Sequence, residues 1–261
     1  MKICLLIPHY DHAGAIGALL ARLERYRLDC IVIDDGSDEH AREVLREQAR
    51  IHPWVQLVMR DSNGGQGAAK RTGYRAAAEA GFTHALEMDA DGQHDTGDVP
   101  RFLELMRAHP HAFVMGVPVF GDDVPRARLW GRQLSRGMVW AACGSFTIVD
   151  PLCGYRGMPL AKAISVTDRW HTGNRMSFDP EFAVRMYRAG APILTVPTRV
   201  SYPTDGVSHF DMLWDNVRLI GTYARLLAEL PLALPAIVAA RRRARRLMLQ
   251  DKSGVAVGVS R

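Results

Sequence analysis

Through the first 116 residues, short apolar runs alternate with amphipathic stretches. Strands are expected at Ile3–Ile7, Leu28–Ile33, Val55–Met59, Ala85–Met88 and Ala112–Gly116, runs too short for helices and rich in β-branched residues. Helical periodicity fills Gly14–Arg27, Glu39–Arg50, Gly67–Ala80 and Val99–Ala108 between them. That rhythm predicts βαβ units, hence an α/β fold with a mostly parallel, doubly covered sheet. In such sheets ligands bind outside the carboxyl ends of the strands. Pro8-His9-Tyr10-Asp11, Asp34-Asp35-Gly36-Ser37, Arg60–Gly67 and Asp89–His94 all follow strands, so all four are expected at one edge.

The second half is less regular. Arg126–Ala142 reads as a helix carrying Arg126, Arg128, Arg132 and Arg136, and Pro180–Ala189 as a short helix ended by Gly190. A strand is expected at Ile193–Val196 and an amphipathic helix at Asp211–Leu230. Leu226–Ala240 is apolar but broken by Glu229, Pro231 and Pro235, short of the ~20 apolar residues that span a bilayer.

Charge changes this picture only at the C-terminus. Residues 241–261 hold seven Lys/Arg against one acid, a net +6 that leaves the other 240 residues near −1 of the chain's +5. A basic tail on an electrically ordinary body argues against nucleic acid as a partner, whose patch should lie on the fold itself. The apolar stretch followed by Arg241-Arg242-Arg243 and Arg245-Arg246 fits either a segment lying on an anionic membrane surface or a packed helix with a solvated tail. Cys4, Cys30, Cys143 and Cys153 form no Cys-x-x-Cys pair and read as buried, reduced thiols of a cytoplasmic protein. The N-terminal apolar run is too short for a signal peptide and reads as the first strand.

The chemistry concentrates in Leu86-Glu87-Met88-Asp89-Ala90-Asp91-Gly92-Gln93-His94. Residues i and i+2 of a strand share a side, so Asp89 and Asp91 leave together, and two adjacent carboxylates call for a cation between them. Oxygen ligands suit a hard divalent ion, Mg2+ or Mn2+, that keeps positions open for substrate phosphates. A solvated Asp/Gly turn is the structural alternative. Asp34 and Asp35 suit hydrogen bonds to a nucleotide's base and ribose, while Ser37 or Asp38 also fits as an N-cap of the helix at Glu39–Arg50. Asn63-Gly64-Gly65-Gln66-Gly67-Ala68-Ala69-Lys70 opens a helix as either an anion nest or a loop that lets a nucleoside approach the backbone.

Pro8-His9-Tyr10, Asp34-Asp35-Gly36-Ser37, Asn63–Ala69 and Asp89-Ala90-Asp91-Gly92-Gln93-His94 together, in this order and spacing, resemble the GT-A family 2 glycosyltransferases. The resemblance spans roughly residues 1–225 and is nearest the polyprenyl-phosphate sugar synthases such as dolichyl-phosphate mannose synthase. It implies a GT-A fold with a nucleotide and metal half at 1–116 and an acceptor half at 117–225, which leaves the amphipathic, basic tail at 226–261 outside it. It also implies an inverting, metal-dependent transfer from a nucleotide-diphosphate sugar. By carry-over, Asp35 faces the nucleoside, Asp89 and Asp91 serve the metal with Gln93 as third ligand, and Pro8, Tyr10, Asp34, Asn63, Gly67 and Lys70 line the donor site. Arg132, Ser135 and Arg136 match the basic stretch before the acceptor region, and Arg156 in Asp150–Arg156 is placed to touch phosphate. Asp179 takes the position of the base that strips a hydroxyl acceptor's proton, and Glu181 matches the acid of the polyprenyl-phosphate branch. As an alternative, Asp179 fits an N-cap with Pro180 at the first helical position. His209, in Tyr202–Phe210, aligns with a loop that closes over the diphosphate.

The chain departs from the branch at Gly116-Val117-Pro118, where an arginine is expected, and at Gly131, which stands in place of a second. Asp205–Phe210 is also similar to the transferases of bacterial aryl-polyene pigment clusters, which implies an amphipathic or lipid-like acceptor. Two other classes are weighed. A haloacid-dehalogenase-type phosphatase also uses Asp-x-Asp-Gly after a strand, but wants Thr or Val where Gln93 stands. A non-catalytic nucleotide-sugar-binding module would not need Asp89, Asp91, Asp179 and Glu181 intact. The expected setting is the cytoplasm, peripheral to the inner face of the membrane.

Overall fold

The computed structural model describes residues 1–120, 126–170, 172–200 and 214–250. Seven strands form one sheet: β1 (Ile3–His9), β2 (Cys30–Asp34), β3 (Val55–Met59), β4 (His84–Glu87), β5 (Phe113–Val119), β6 (Arg156–Pro159) and β7 (Ile193–Arg199). Their order is β3-β2-β1-β4-β6-β5-β7. All neighbours are parallel except β6, which runs antiparallel to β4 (Leu86 opposite Gly157) and to β5 (Met115 opposite Arg156).

Every residue of β1 is buried, as a strand covered on both faces requires. Alternation then divides it: Cys4 and Leu6 join one core with Ile31, Ile33, Tyr74, Phe113 and Phe182, while Ile3, Leu5 and Ile7 join another with Ile16, Leu20, Phe102 and Tyr155. The first is covered by α3 (Gln66–Glu79), α5 (Arg126–Cys143), α6 (Leu160–Arg169) and α7 (Phe178–Arg188). The second is covered by α1 (Ala13–Leu23), α2 (Glu39–Ile51) and α4 (Val99–Ala108). Asp38 caps α2, its carboxylate accepting from Ala41 N at 2.8 Å.

The five strands and four helices expected in the first half are all present. The periodicity did not disclose β6 and α6. The two helices α8 (Trp214–Ala228) and α9 (Leu230–Gln250) replace the broken stretch: they meet at Glu229 with a 74° bend, and α9 continues through Pro235. No single helix among the described residues is long and apolar enough to cross a membrane. Nor does a tail separate at residue 226, because Leu226, Ile237 and Ala240 are buried and Leu226 and Ile237 belong to the first core. Arg241, though exposed, is tied to the body, donating to Tyr187 Oη at 2.8 Å and to the carbonyls of Cys143 and Gly144. All four cysteines are free and buried.

Candidate active site

The ends of β1, β2, β3 and β4 bring the four motifs to one edge, and the loop after β4 is tied across the sheet. His94 bridges Val200 in antiparallel fashion, and Asp95 N donates to Arg199 O at 3.2 Å. His94 thereby packs against the Tyr155 ring, 5.3 Å between centroids, and its Nε2 comes 3.4 Å from Asp89 Oδ2. Gln66, opening α3, donates from Nε2 to Asp89 Oδ1 at 3.1 Å. His94 stood in the motif as a polar ligand candidate, whereas Gln66 was not singled out for Asp89 because it reaches it only through tertiary packing. Gly154 lies against the same carboxylate: a Cβ there would stand 2.2 Å from Asp89 Oδ2.

Asp91 is turned by Gly92 and accepts from Gln93 N at 3.0 Å. Burial raises its pKa, and the charge of Asp89 raises it further. Burial pulls Asp89 the same way, but the His94 contact and the charge of Lys70 outweigh it and hold Asp89 below the usual carboxylate range. Two carboxylates with a glutamine amide beside them suit a hard divalent ion, which would relieve the repulsion felt by Asp91. Among the described residues no three His, Cys, Asp or Glu side chains converge on a point, so the set present fits an ion that completes its shell with phosphate and water oxygens.

Beneath Asp89 lies a charge cluster sealed from water. Lys70 Nζ is 2.7 Å from Asp179 Oδ1 and 2.8 Å from Glu87 Oε1. Arg156 Nη1 donates to Asp179 Oδ1 at 2.9 Å, and Tyr74 Oη donates to Glu87 Oε2 at 2.7 Å. Burial alone would push the Lys70 ammonium down, yet Asp179 and Glu87 hold it up; burial raises Glu87 against the pull of Lys70. Arg156 also donates to the carbonyls of Cys153, Pro151 and Asp179. The expected phosphate contact of Arg156 and substrate contact of Lys70 are therefore corrected, because both are completely buried and paired.

Glu181 is likewise inaccessible. Its carboxylate accepts from Gly173 N at 3.1 Å, Arg185 Nη2 at 3.3 Å and Arg225 Nη2 at 2.6 Å. Glu229, the residue at the α8–α9 bend, completes this network by pairing with Arg185 and Arg188.

On the donor side, Asp34 is fully buried, accepting from Ser37 N at 3.2 Å and Arg42 Nε at 3.0 Å. Those partners make it a support for the turn, not a nucleoside contact. Asp35 holds the glycine-rich loop: it pairs with Arg60, accepts from Gly64 N at 3.1 Å and from Gly65 N at 2.7 Å. Gly67 N donates to Asn174 O at 2.7 Å. These amides serve the protein itself, which decides against the anion-nest alternative. Gly65, at φ 92°, is required because a Cβ would come within 2.5 Å of Asn174 O. Pro8 is buried inside β1, Tyr10 is half-buried just beyond its end, and Asn63 Oδ1 is buried without a hydrogen-bond partner.

On the other side, Arg132 pairs with Asp150 at 2.7 Å and Arg136 stacks over Trp140 at 4.7 Å. Both line a cavity of about 160 Å³ with Pro118, Phe120 and Leu129. Ser135 is buried. His209 and the rest of Tyr202–Phe210 lie outside the described residues.

A mostly parallel sheet with one antiparallel strand, β6, is the architecture of the GT-A glycosyltransferases. The glycosyl transferase family 2 profile matches residues 4–177, and the chain belongs to that family. It is 27% identical over 208 residues to an undecaprenyl-phosphate mannosyltransferase of Micrococcus luteus, covering 76% of this chain and 82% of that one. It is also 27% identical over 171 residues to a UDP-N-acetylglucosamine–dolichyl-phosphate N-acetylglucosaminyltransferase of Methanococcus voltae, covering 59% and 68%. Among solved structures, the mannosyltransferase PcManGT of Pyrobaculum calidifontis, in complex with GDP-Man and Mn2+, superposes with a TM-score of 0.55 at 19% identity, covering 94% of this chain and 75% of that one. S. aureus TarS in complex with UDP gives 0.60 at 14% identity, covering 95% and 71%. At such identities the structural likeness establishes the fold alone.

Proposed function

We propose that this glycosyltransferase moves a sugar, with inversion, from a nucleotide-diphosphate donor onto the phosphate of a lipid-like, polyprenyl-type acceptor. The observation that carries the acceptor is the state of the two candidate bases. Asp179 is gripped by Lys70 and Arg156, and Glu181 by Arg185 and Arg225, so neither is open to a hydroxyl proton. A phosphate monoester needs no such base, because it arrives ionised. Its oxygen forms the new bond to the anomeric carbon while the bond to the donor's diphosphate breaks, the electron pair leaving with the nucleoside diphosphate. The names of the relatives support the same acceptor class.

Asp89, Asp91 and Gln93 would hold Mg2+ or Mn2+, which when bound neutralises the departing diphosphate as a Lewis acid. Gln66, His94 and Gly154 orient Asp89 for that role. Tyr10, Asn63 and the loop braced by Asp35 form the floor of the nucleoside site. The glycosyltransferase reading also assigns a peripheral contact with the inner face of the cytoplasmic membrane. α9 exposes Leu232, Leu234 and Val238 beside Arg242, Arg243, Arg245 and Arg246, and α5 exposes Trp130 and Leu134.

Calorimetry with UDP, GDP and their sugars, with Mn2+ and then with chelator, tests the reading. Metal-dependent binding of one nucleotide supports it. Absence of any nucleotide binding, with hydrolysis of generic phosphomonoesters, would return Asp89 and Asp91 to a phosphatase.

A further inference from the structure

A second cavity, of about 350 Å³, opens between the segment before α7 and the outer side of α8. Its walls carry three guanidinium groups, Arg175, Arg218 and Arg225, with Asn174, Ser177 and Thr222 beside them, and no acid among the described lining residues. Glu181, behind Arg225, is buried and takes hydrogen bonds from Arg225, Arg185 and the Gly173 amide. The cavity is therefore a cationic cleft rimmed by hydroxyl and amide donors, the donor set that phosphate oxygens recognise.

Helical spacing adds the second half of the argument. Arg218, Gly221, Thr222 and Arg225 lie at i, i+3, i+4 and i+7, one stripe of α8. Alongside runs an apolar stripe of Trp214, Val217 and Ile220, whose exposures are 58%, 51% and 66%. A phosphate seated among the arginines would thus lay an attached hydrocarbon chain along these side chains. The cavity also touches the catalytic edge. Gly65 packs on Asn174 and Arg175, Gly67 on Gly173, and Gln66 between them donates to Asp89.

We propose that this cavity receives the phosphate of a phosphomonoester borne on an apolar chain, bound separately from the nucleotide donor. Naming that ligand as the acceptor rests on the function proposed above; the binding itself does not. The shared chemistry is the phosphate, and the chain along α8 distinguishes a lipid from free phosphate.

The test uses the full chain and three probes: dodecyl phosphate below its micelle concentration, inorganic phosphate, and dodecanol. Dodecyl phosphate is expected to bind roughly tenfold or more tightly than either of the others. Arg218→Gln and Arg175→Gln should each weaken it by roughly tenfold, as expected for loss of a charge-assisted contact. Gly221→Leu fills the cavity from a position where an added Cβ meets nothing within 4 Å, so it blocks binding without disturbing the fold. UDP or GDP binding with Mn2+ should be unchanged in all three variants. Equal affinity for inorganic phosphate would overturn the lipid assignment. Indifference of dodecyl phosphate to the variants would overturn the cavity as its site, and loss of nucleotide binding would give the cavity to the donor. A wild-type chain that binds dodecyl phosphate with this arginine dependence but binds no nucleotide upholds the cavity and removes the donor reading instead.

Discussion

Lys70 Nζ stands 2.7 Å from Asp179 Oδ1, with Lys70 0% and Asp179 8% exposed, so a lysine from the glycine-rich loop's helix locks the carboxylate that sequence places as a base. Two cations, Lys70 and Arg156, face two anions, Glu87 and Asp179, and loss of one member of such a buried group leaves an uncompensated charge away from water.

Lys70→Met should accordingly destabilise the fold by about 3–5 kcal/mol, since it leaves Glu87 and Asp179 facing one another. Urea unfolding checks this. Asp179→Asn should also lower stability, and a variant that kept its full stability while losing all transfer would restore Asp179 as a base.

Asp91→Asn is expected to keep the fold, because among the described residues Asp91 accepts a bond from the adjacent Gln93 amide alone. It should cost at least about a hundredfold in metal-dependent nucleotide affinity, more than the loss of a group that only supports a ligand does. Calorimetry with Mn2+ in excess reads this directly, and unchanged affinity would remove Asp91 from the metal site.

Gly65→Ala places a methyl group against Asn174 O at a backbone angle of φ 92°. The strain should destabilise the chain by about 1–3 kcal/mol. The same change should loosen Gln66 from Asp89, visible as weaker nucleotide binding in the fraction that remains folded.

His9 gives a pH dependence. Burial depresses its pKa below the ordinary 6.5, with Asp34 only partly offsetting the shift. A depressed histidine binds fewer protons folded than unfolded, so its contribution is complete above pH 6.5 and is lost as pH falls through the depressed value. Unfolding free energy should drop as pH falls below 6.5, and His9→Phe should flatten part of that slope. A profile identical to wild type would assign the slope to other groups, such as His84, which is depressed by burial in the same way.

Replacing Arg242, Arg243, Arg245 and Arg246 with Gln should weaken sedimentation with anionic vesicles by roughly tenfold or more, while neutral vesicles bind poorly in both cases. Salt should abolish the difference. Arg241 is left in place, because its guanidinium holds the Cys143–Gly144 turn and its loss would test stability instead.

Periodicity alone specified the first half of the sheet. Apolar runs of four to seven residues, spaced by helices, leave few alternatives for β1 to β5, and the strand-end motifs follow to the same edge. It missed β6 because Arg156 and Gly157 carry no strand pattern: their pairing with β4 and β5 comes from partners far away in sequence. The site shows the same division. Local spacing was enough to bring Asp89 and Asp91 into the one turn that follows β4, close enough for the charge of Asp89 to raise the pKa of Asp91, although β4 ends at Glu87 and strand alternation does not place them. Whether Asp34, Lys70, Arg156, Asp179 and Glu181 face a ligand or each other was decided only by packing. Lys70 meets Asp179 across 109 positions of sequence, and Arg225 meets Glu181 across 44. Burial turned those charges from candidates for substrate contact into counterions for one another, because a charge removed from water must find its opposite within the fold.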